Sequence, residues 1–239
     1  MKILFIGNSI IQGVLGESFV KLFARENPNW IIKNSGIGGD TLTNVSERVI
    51  TELSHDAGID FIVFESGYND IILPYFNKRG FLFRLALKFL LFRGRNPLSD
   101  PIAFKAEYKK IVGKMKEITS AKIVLMTLGC INENLQFELN IKRLEFNQII
   151  REIAEEKGCL LADVGQQFEF VLSQRNQTNY ILKSFWNSVY FDRKACNTTN
   201  GAKKLSSKRS LQLTIDGVHL NSDGAEIFKS VIQTQINTI

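Results

Sequence analysis

Cysteine is scarce in this chain of 239 residues: Cys130, Cys159 and Cys196 are scattered and odd in number. They form no recognisable disulfide framework and match no metal-ligand spacing, which points to a reducing compartment. Histidine is scarcer, and His55 and His219 lie far apart, which argues against a metal centre. No uncharged apolar run is long enough to span a bilayer. Met1–Ile6 resembles the head of a signal peptide, but its apolar run is too short for the hydrophobic region of one. A cytoplasmic protein is expected, with peripheral membrane contact left open. There is no internal repeat and no low-complexity linker. With 44% hydrophobic residues, the length fits one domain, 1–239, that buries a sizeable core.

What is present is alternation. Strand-like apolar runs occur at Lys2–Ile6, Trp30–Lys33, Asp60–Glu65, Lys122–Leu128 and Leu160–Val164. Helix-patterned segments lie between them, at Glu17–Glu26, Leu42–Leu53, Ile102–Ile118 and Leu135–Lys157. Asp100-Pro101 is a helix start, with a capping residue before a proline at the first helical position. Asn221-Ser222-Asp223 opens a last helix whose Ala225, Phe228, Val231, Ile232 and Ile236 form one apolar stripe. Strand–helix repetition predicts an α/β fold, a parallel sheet with helices on both faces.

Four polar blocks fall at the carboxyl ends of predicted strands or near the end of the chain: Gly7-Asn8-Ser9-Ile10, Asn34–Thr41, Gly67-Tyr68-Asn69-Asp70 and Asp216-Gly217-Val218-His219. In open parallel sheets that edge collects ligand-binding loops. Each block alone has a plainer reading. Ser9 would cap a helix, Asp40 or Thr41 would cap Leu42–Leu53, and Asn69-Asp70 and Asp216-Gly217 would be ordinary turns. Together they supply a serine, a histidine and an orienting carboxylate. A serine hydroxyl needs an adjacent base to become a nucleophile, and histidine titrates in the right range. Asn69 adds an amide donor that does not ionise, and Gly39 a backbone N–H with no Cβ in the way. His55, in Ser54-His55-Asp56 at a predicted helix end, is given no catalytic role.

In order and spacing these blocks resemble the SGNH, or GDSL-type, serine hydrolase superfamily, over Gly7 to Asn221. The resemblance implies a flavodoxin-like three-layer α/β/α sandwich with a five-stranded parallel sheet of order 2-1-3-4-5. It implies Ser9 as nucleophile, His219 as general base and then acid, and Asp216 as the partner of His219. The oxyanion hole it implies is made by the Ser9 N–H, the Gly39 N–H and the Asn69 amide. No cofactor or metal is expected. The implied activity is hydrolysis of a carboxylic ester, of an O-acyl sugar or a lipid-like substrate, through an acyl-serine intermediate. Acyl transfer from the same site, or a non-catalytic membrane-surface or binding role, are the alternatives. Asn8 stands where the family name carries aspartate. That change is expected to alter loop hydrogen bonding and leave the chemistry intact.

Charge is distributed unevenly. The chain carries a net +6, yet two segments hold more than all of it. Within an insertion at about 74–100 lie Lys78, Arg79, Arg84, Lys88, Arg93 and Arg95 against Asp100. Within a second, at about 168–213, the stretch Lys183–Ser210 holds Lys183, Arg193, Lys194, Lys203, Lys204, Lys208 and Arg209 against Asp192. Both adjoin site blocks, so both are expected at the active-site edge. Phe81–Phe92, read as a helix, sets Arg84 and Lys88 on one face and aromatics and leucines over the rest. It fits a lid, an interfacial helix against an anionic membrane, or a core-packed helix with solvated cations. The second insertion adds Phe185, Trp186, Tyr190 and Phe191 to the cluster Lys203–Arg209. A nucleic-acid partner is set aside for want of any accompanying motif. The expected partner is a small-molecule ester, anionic or amphiphilic; the sequence gives no oligomeric state.

Overall fold

The computed structural model describes residues 1–56, 58–174, 178–198 and 200–238. Five strands, β1 (Lys2–Gly7), β2 (Ile31–Gly36), β3 (Phe61–Phe64), β4 (Lys122–Met126) and β5 (Leu160–Ala162), form one parallel sheet in the order β2-β1-β3-β4-β5. This is the expected α/β architecture. The central strands are apolar without alternation because helices cover both faces. Ile3–Ile6, Phe61–Phe64 and Ile123–Met126 are all buried. β2 lies at an edge and is half-buried, so it tolerates polar residues. It therefore runs through Asn34-Ser35-Gly36, which the sequence had placed in the loop beyond it.

The helices follow from their apolar spacing. In α3 (Leu42–His55), Leu42, Val45, Val49 and Leu53 face the core, and the Thr41 N–H and hydroxyl both donate to Asn44 Oδ1 at the start. Asp100 caps α6 (Pro101–Ile118) by accepting from the Ala103 N–H. Asn221 caps α11 (Ser222–Asn237), which buries Ala225, Phe228, Ile232 and Ile236. The other long elements are α2 (Phe19–Glu26), α7 (Glu138–Lys157) and α8 (Val164–Ser173).

The two basic segments hold more helix than their composition announced. Four-residue α1 (Ser9–Gln12) and α4 (Tyr68–Tyr75) begin within site blocks, and α5 (Phe81–Phe92) follows in the first basic segment. The second carries one turn of π-helix, Asn187–Phe191, running into α9 (Asp192–Cys196), and then α10 (Gly201–Arg209). The three cysteines are free thiols. No helix among the described residues is long and apolar enough to cross a membrane.

Candidate active site

The site lies where β1, β2 and β3 end. β1 stops at Gly7, where a Cβ would approach Glu65 O and Ile11 to less than 3 Å, so only glycine lets the chain turn there. Asn8 then caps α1: its Oδ1 accepts from the Ile10 N–H at 3.0 Å and its Nδ2 donates to Glu65 Oε1 at 2.8 Å. Ser9 is consequently held at the first position of α1. The Asn8 amide thus grips a buried glutamate. Burial drives the Glu65 carboxyl up to about 8, against the opposing hydrogen bonds from Asn8 and with a further rise from the Asp70 charge.

From the far end of the chain, a turn closed by Ile215 N–H donating to His219 O brings in the histidine. His219 Nε2 is 3.0 Å from Ser9 Oγ, and His219 Nδ1 is 2.8 Å from Asp216 Oδ2. Asp216 Oδ1 accepts from the N–H groups of Val218 (3.0 Å) and His219 (2.8 Å), which fixes the carboxylate. Burial pulls the imidazole pKa down. The Asp216 charge, its hydrogen bond and the Asp192 carboxylate outweigh that and leave it raised above the ordinary 6.5. Burial likewise lifts Asp216, but the His219 charge and the hydrogen bonds bring it below its usual range.

On the other side of Ser9 stand Gly39 and Asn69. Gly39 has φ +84°, a left-handed conformation that side chains rarely adopt. Asn69 Nδ2 donates to Asp40 O at 2.8 Å, tying the two loops together. All five residues, Ser9, Gly39, Asn69, Asp216 and His219, line one cavity of about 980 Å³. Its remaining walls are mostly apolar, with Leu73, Phe76, Phe83, Leu85 and Phe89 from one side and Phe185 and Val189 from the other.

Several supports were not foreseen from the sequence. Glu133, fully buried, accepts from the N–H groups of Gln212 (2.7 Å), Leu213 (2.8 Å) and Thr214 (2.8 Å) and from the Thr214 hydroxyl (2.7 Å). It thereby anchors the segment entering the Asp216–His219 turn. Arg48 ties the ends of β1 and β2 to the loop before α3, donating to Gly7 O, Ser35 O and Asp40 Oδ2 at 2.6–2.8 Å. Asp70 accepts from the N–H groups of Leu42 and Leu98, and burial raises its pKa to about 7 despite them. No single sequence signal marked Glu133 or Arg48, beyond a charge in each at an otherwise packed position, and Asp70 stood in the Gly67–Asp70 block only as a turn residue. Arg209, expected among substrate-facing cations, is instead turned inward. It pairs with Asp192 at 2.6 and 2.8 Å and donates to Ile215 O at 2.7 Å. Among the described residues no group of three or more His, Cys, Asp or Glu side chains forms a metal site.

A serine, histidine and aspartate in hydrogen-bonded series, on strand ends in the order described, is an arrangement that known proteins share. The model of the GDSL-like lipase/acylhydrolase family matches residues 5–227. The chain belongs to that family. It is accordingly a carboxylic ester hydrolase. No curated protein sequence matches it. Among solved structures, an acetyl-xylooligosaccharide esterase variant from Geobacillus stearothermophilus superposes with a TM-score of 0.66 at 20% identity, covering 98% of this chain and 93% of that one. An acetyl xylan esterase gives 0.64 at 19% identity, with 98% of both chains covered. An α/β hydrolase from the metagenome of Lake Arreo, Spain, gives 0.64 at 18%, covering 99% of this chain and 94% of that one. At these identities the likeness is one of fold.

Proposed function

We propose that this GDSL-family hydrolase cleaves esters with a long apolar acyl chain through an acyl-serine intermediate on Ser9. The 3.0 Å approach of His219 Nε2 to Ser9 Oγ carries the mechanism. The imidazole takes the Ser9 proton as Oγ attacks the ester carbonyl carbon. Asp216 holds Nδ1 protonated and stabilises the imidazolium that results. The negative charge built on the carbonyl oxygen is met by the Ser9 and Gly39 N–H groups and the Asn69 amide; donors of this kind are each worth about 3–4 kcal/mol. As the tetrahedral species collapses, the leaving alkoxide takes the proton from His219, and the acyl group stays on Oγ. Water, deprotonated by His219, attacks the acyl carbonyl, and the second collapse returns the proton to Ser9 and releases the carboxylic acid.

The cavity supports the chain-length reading. Small-molecule sites run from about 300 to 1,000 Å³, so a cavity of about 980 Å³ lies at the upper end. An acetyl group fills little of it and leaves its aromatic and leucine walls wet. Each buried methylene of a longer chain contributes about 0.8 kcal/mol. The acetylated-sugar substrates named for the structural neighbours offer hydroxyls to these walls and nothing to fill them.

Hydrolysis of p-nitrophenyl acetate, butyrate and decanoate by the wild type and Ser9→Ala tests both parts. The expected result is turnover that requires Ser9 and a kcat/KM rising from acetate to decanoate by about two orders of magnitude or more, the gain from burying about half of the eight added methylenes. Turnover that survives Ser9→Ala contradicts the mechanism, and a preference for acetate contradicts the chain-length assignment.

A further inference from the structure

The face around the cavity mouth is aromatic where a solvated surface would be polar. α5 turns Phe83 and Leu87 toward the protein. Its opposite side carries Phe81, Leu85, Phe89 and Phe92, with Phe81 69% and Phe92 88% exposed. Their spacing, i, i+4, i+8 and i+11, makes one stripe along the outward face. Across the cavity the π-turn region exposes Trp186, Val189, Tyr190 and Phe191, each by more than half. The two segments are joined. The Phe83 and Phe185 rings meet edge-on with centroids 5.4 Å apart, and Arg79 Nη2 donates to Leu182 O at 2.6 Å. Single exposed apolar residues need no explanation, whereas a continuous patch of this kind marks a binding surface.

Charge identifies the partner. Arg84, Lys88 and Arg93 stand on or beside the α5 stripe, and Lys183, Arg193 and Lys194 flank the π-turn; all six are exposed. Among the described residues none of the six pairs with a carboxylate, unlike Arg48, Arg143, Arg151 and Arg209 elsewhere in the chain. Aromatic and leucine side chains edged by unpaired cations match the boundary between acyl chains and anionic head groups. A second protein surface would have to supply both a dry apolar face and carboxylates around it.

We propose that this face docks on an anionic lipid surface, with the exposed aromatics at the head-group boundary and the six cations against the head groups. Docked this way, the cavity mouth opens onto lipid, and an acyl chain reaches Ser9 without crossing water. That last step rests on the ester-hydrolase reading; the docking itself does not.

Flotation of the Ser9→Ala protein with large unilamellar vesicles separates the two, because it needs no turnover. Vesicles of phosphatidylcholine alone are compared with phosphatidylcholine containing about 30 mol% phosphatidylglycerol. Binding at least about tenfold tighter to the anionic vesicles, and weakened by salt, is expected. Phe81→Ser with Phe92→Ser, and separately Arg84→Glu with Lys88→Glu, should each abolish flotation. These four side chains lie outside the cavity wall, so the same changes made with Ser9 present should leave p-nitrophenyl butyrate turnover unaltered, which shows the fold intact. Equal binding to both vesicles, no binding to either, or variants that float like the parent would overturn the proposal. So would a dimer in sedimentation velocity that Phe92→Ser dissolves without any flotation of the parent, since the face would then belong to a second copy.

Discussion

The strand-end site and the rim around it are built on opposite principles. At the strand ends nearly every polar group is spoken for: Asn8 by Glu65 and Ile10, Asp216 by His219 and two N–H groups, the turn before it by Glu133, and the ends of β1 and β2 by Arg48. At the rim, aromatic side chains and cations face outward with few partners. The first arrangement fixes distances between reacting atoms, which catalysis demands to within a fraction of an ångström. The second leaves surface available to whatever carries the ester. In the proposed reading, chemistry belongs to the strand ends and choice of substrate to the two basic segments.

The comparison breaks most visibly at Asp216. Asp216→Asn should lower kcat about 10³–10⁴-fold on acetate and decanoate alike, because the carboxylate that fixes the His219 tautomer and stabilises its imidazolium is lost for every substrate. It should also move the acid limb of the pH profile. In the wild type the raised His219 pKa makes kcat/KM fall as pH drops through a value above 6.5. Without the Asp216 charge that limb shifts to lower pH. An unchanged limb would mean that His219 is not the titrating base.

Glu133→Ala tests the supporting network. Three backbone N–H groups and a hydroxyl lose their acceptor in the interior, so unfolding free energy in urea should fall by about 3 kcal/mol or more. Turnover should fall with it for all chain lengths. A stable protein with full activity would show that the turn holds itself.

The smallest effect belongs to the rim. Phe89→Ala removes part of the cavity wall at a side chain that is itself more than half exposed. Decanoate kcat/KM should drop several-fold more than acetate kcat/KM, by about threefold to tenfold. Equal losses would place Phe89 in the framework of the site and not in chain recognition.

The sheet and the four polar blocks were legible in the sequence because their information is local. A buried parallel strand is a short apolar run, and each block follows such a run directly or closes a tight turn. The supports were illegible for the converse reason. Glu133 meets its partners about 80 positions away, and no periodicity or motif ties those residues together. Arg48 likewise reaches backward to Gly7 and Ser35. The polar end of β2 was misread as loop because an edge strand needs no continuous apolar run. Arg209 counted as one more surface cation until its neighbour Asp192 proved to be buried beside it. Composition drew attention to Phe81–Phe92, but only the structure shows that its aromatic stripe faces outward.

The proposed chemistry depends on Ser9 as the nucleophile. Labelling with a decyl fluorophosphonate, followed by mass spectrometry of the digested protein, addresses this directly. One equivalent of phosphonyl adduct on the peptide containing Ser9 is predicted, with loss of ester turnover in proportion. Full turnover by protein whose Ser9 is labelled, or inactivation with the adduct on another residue, would contradict it.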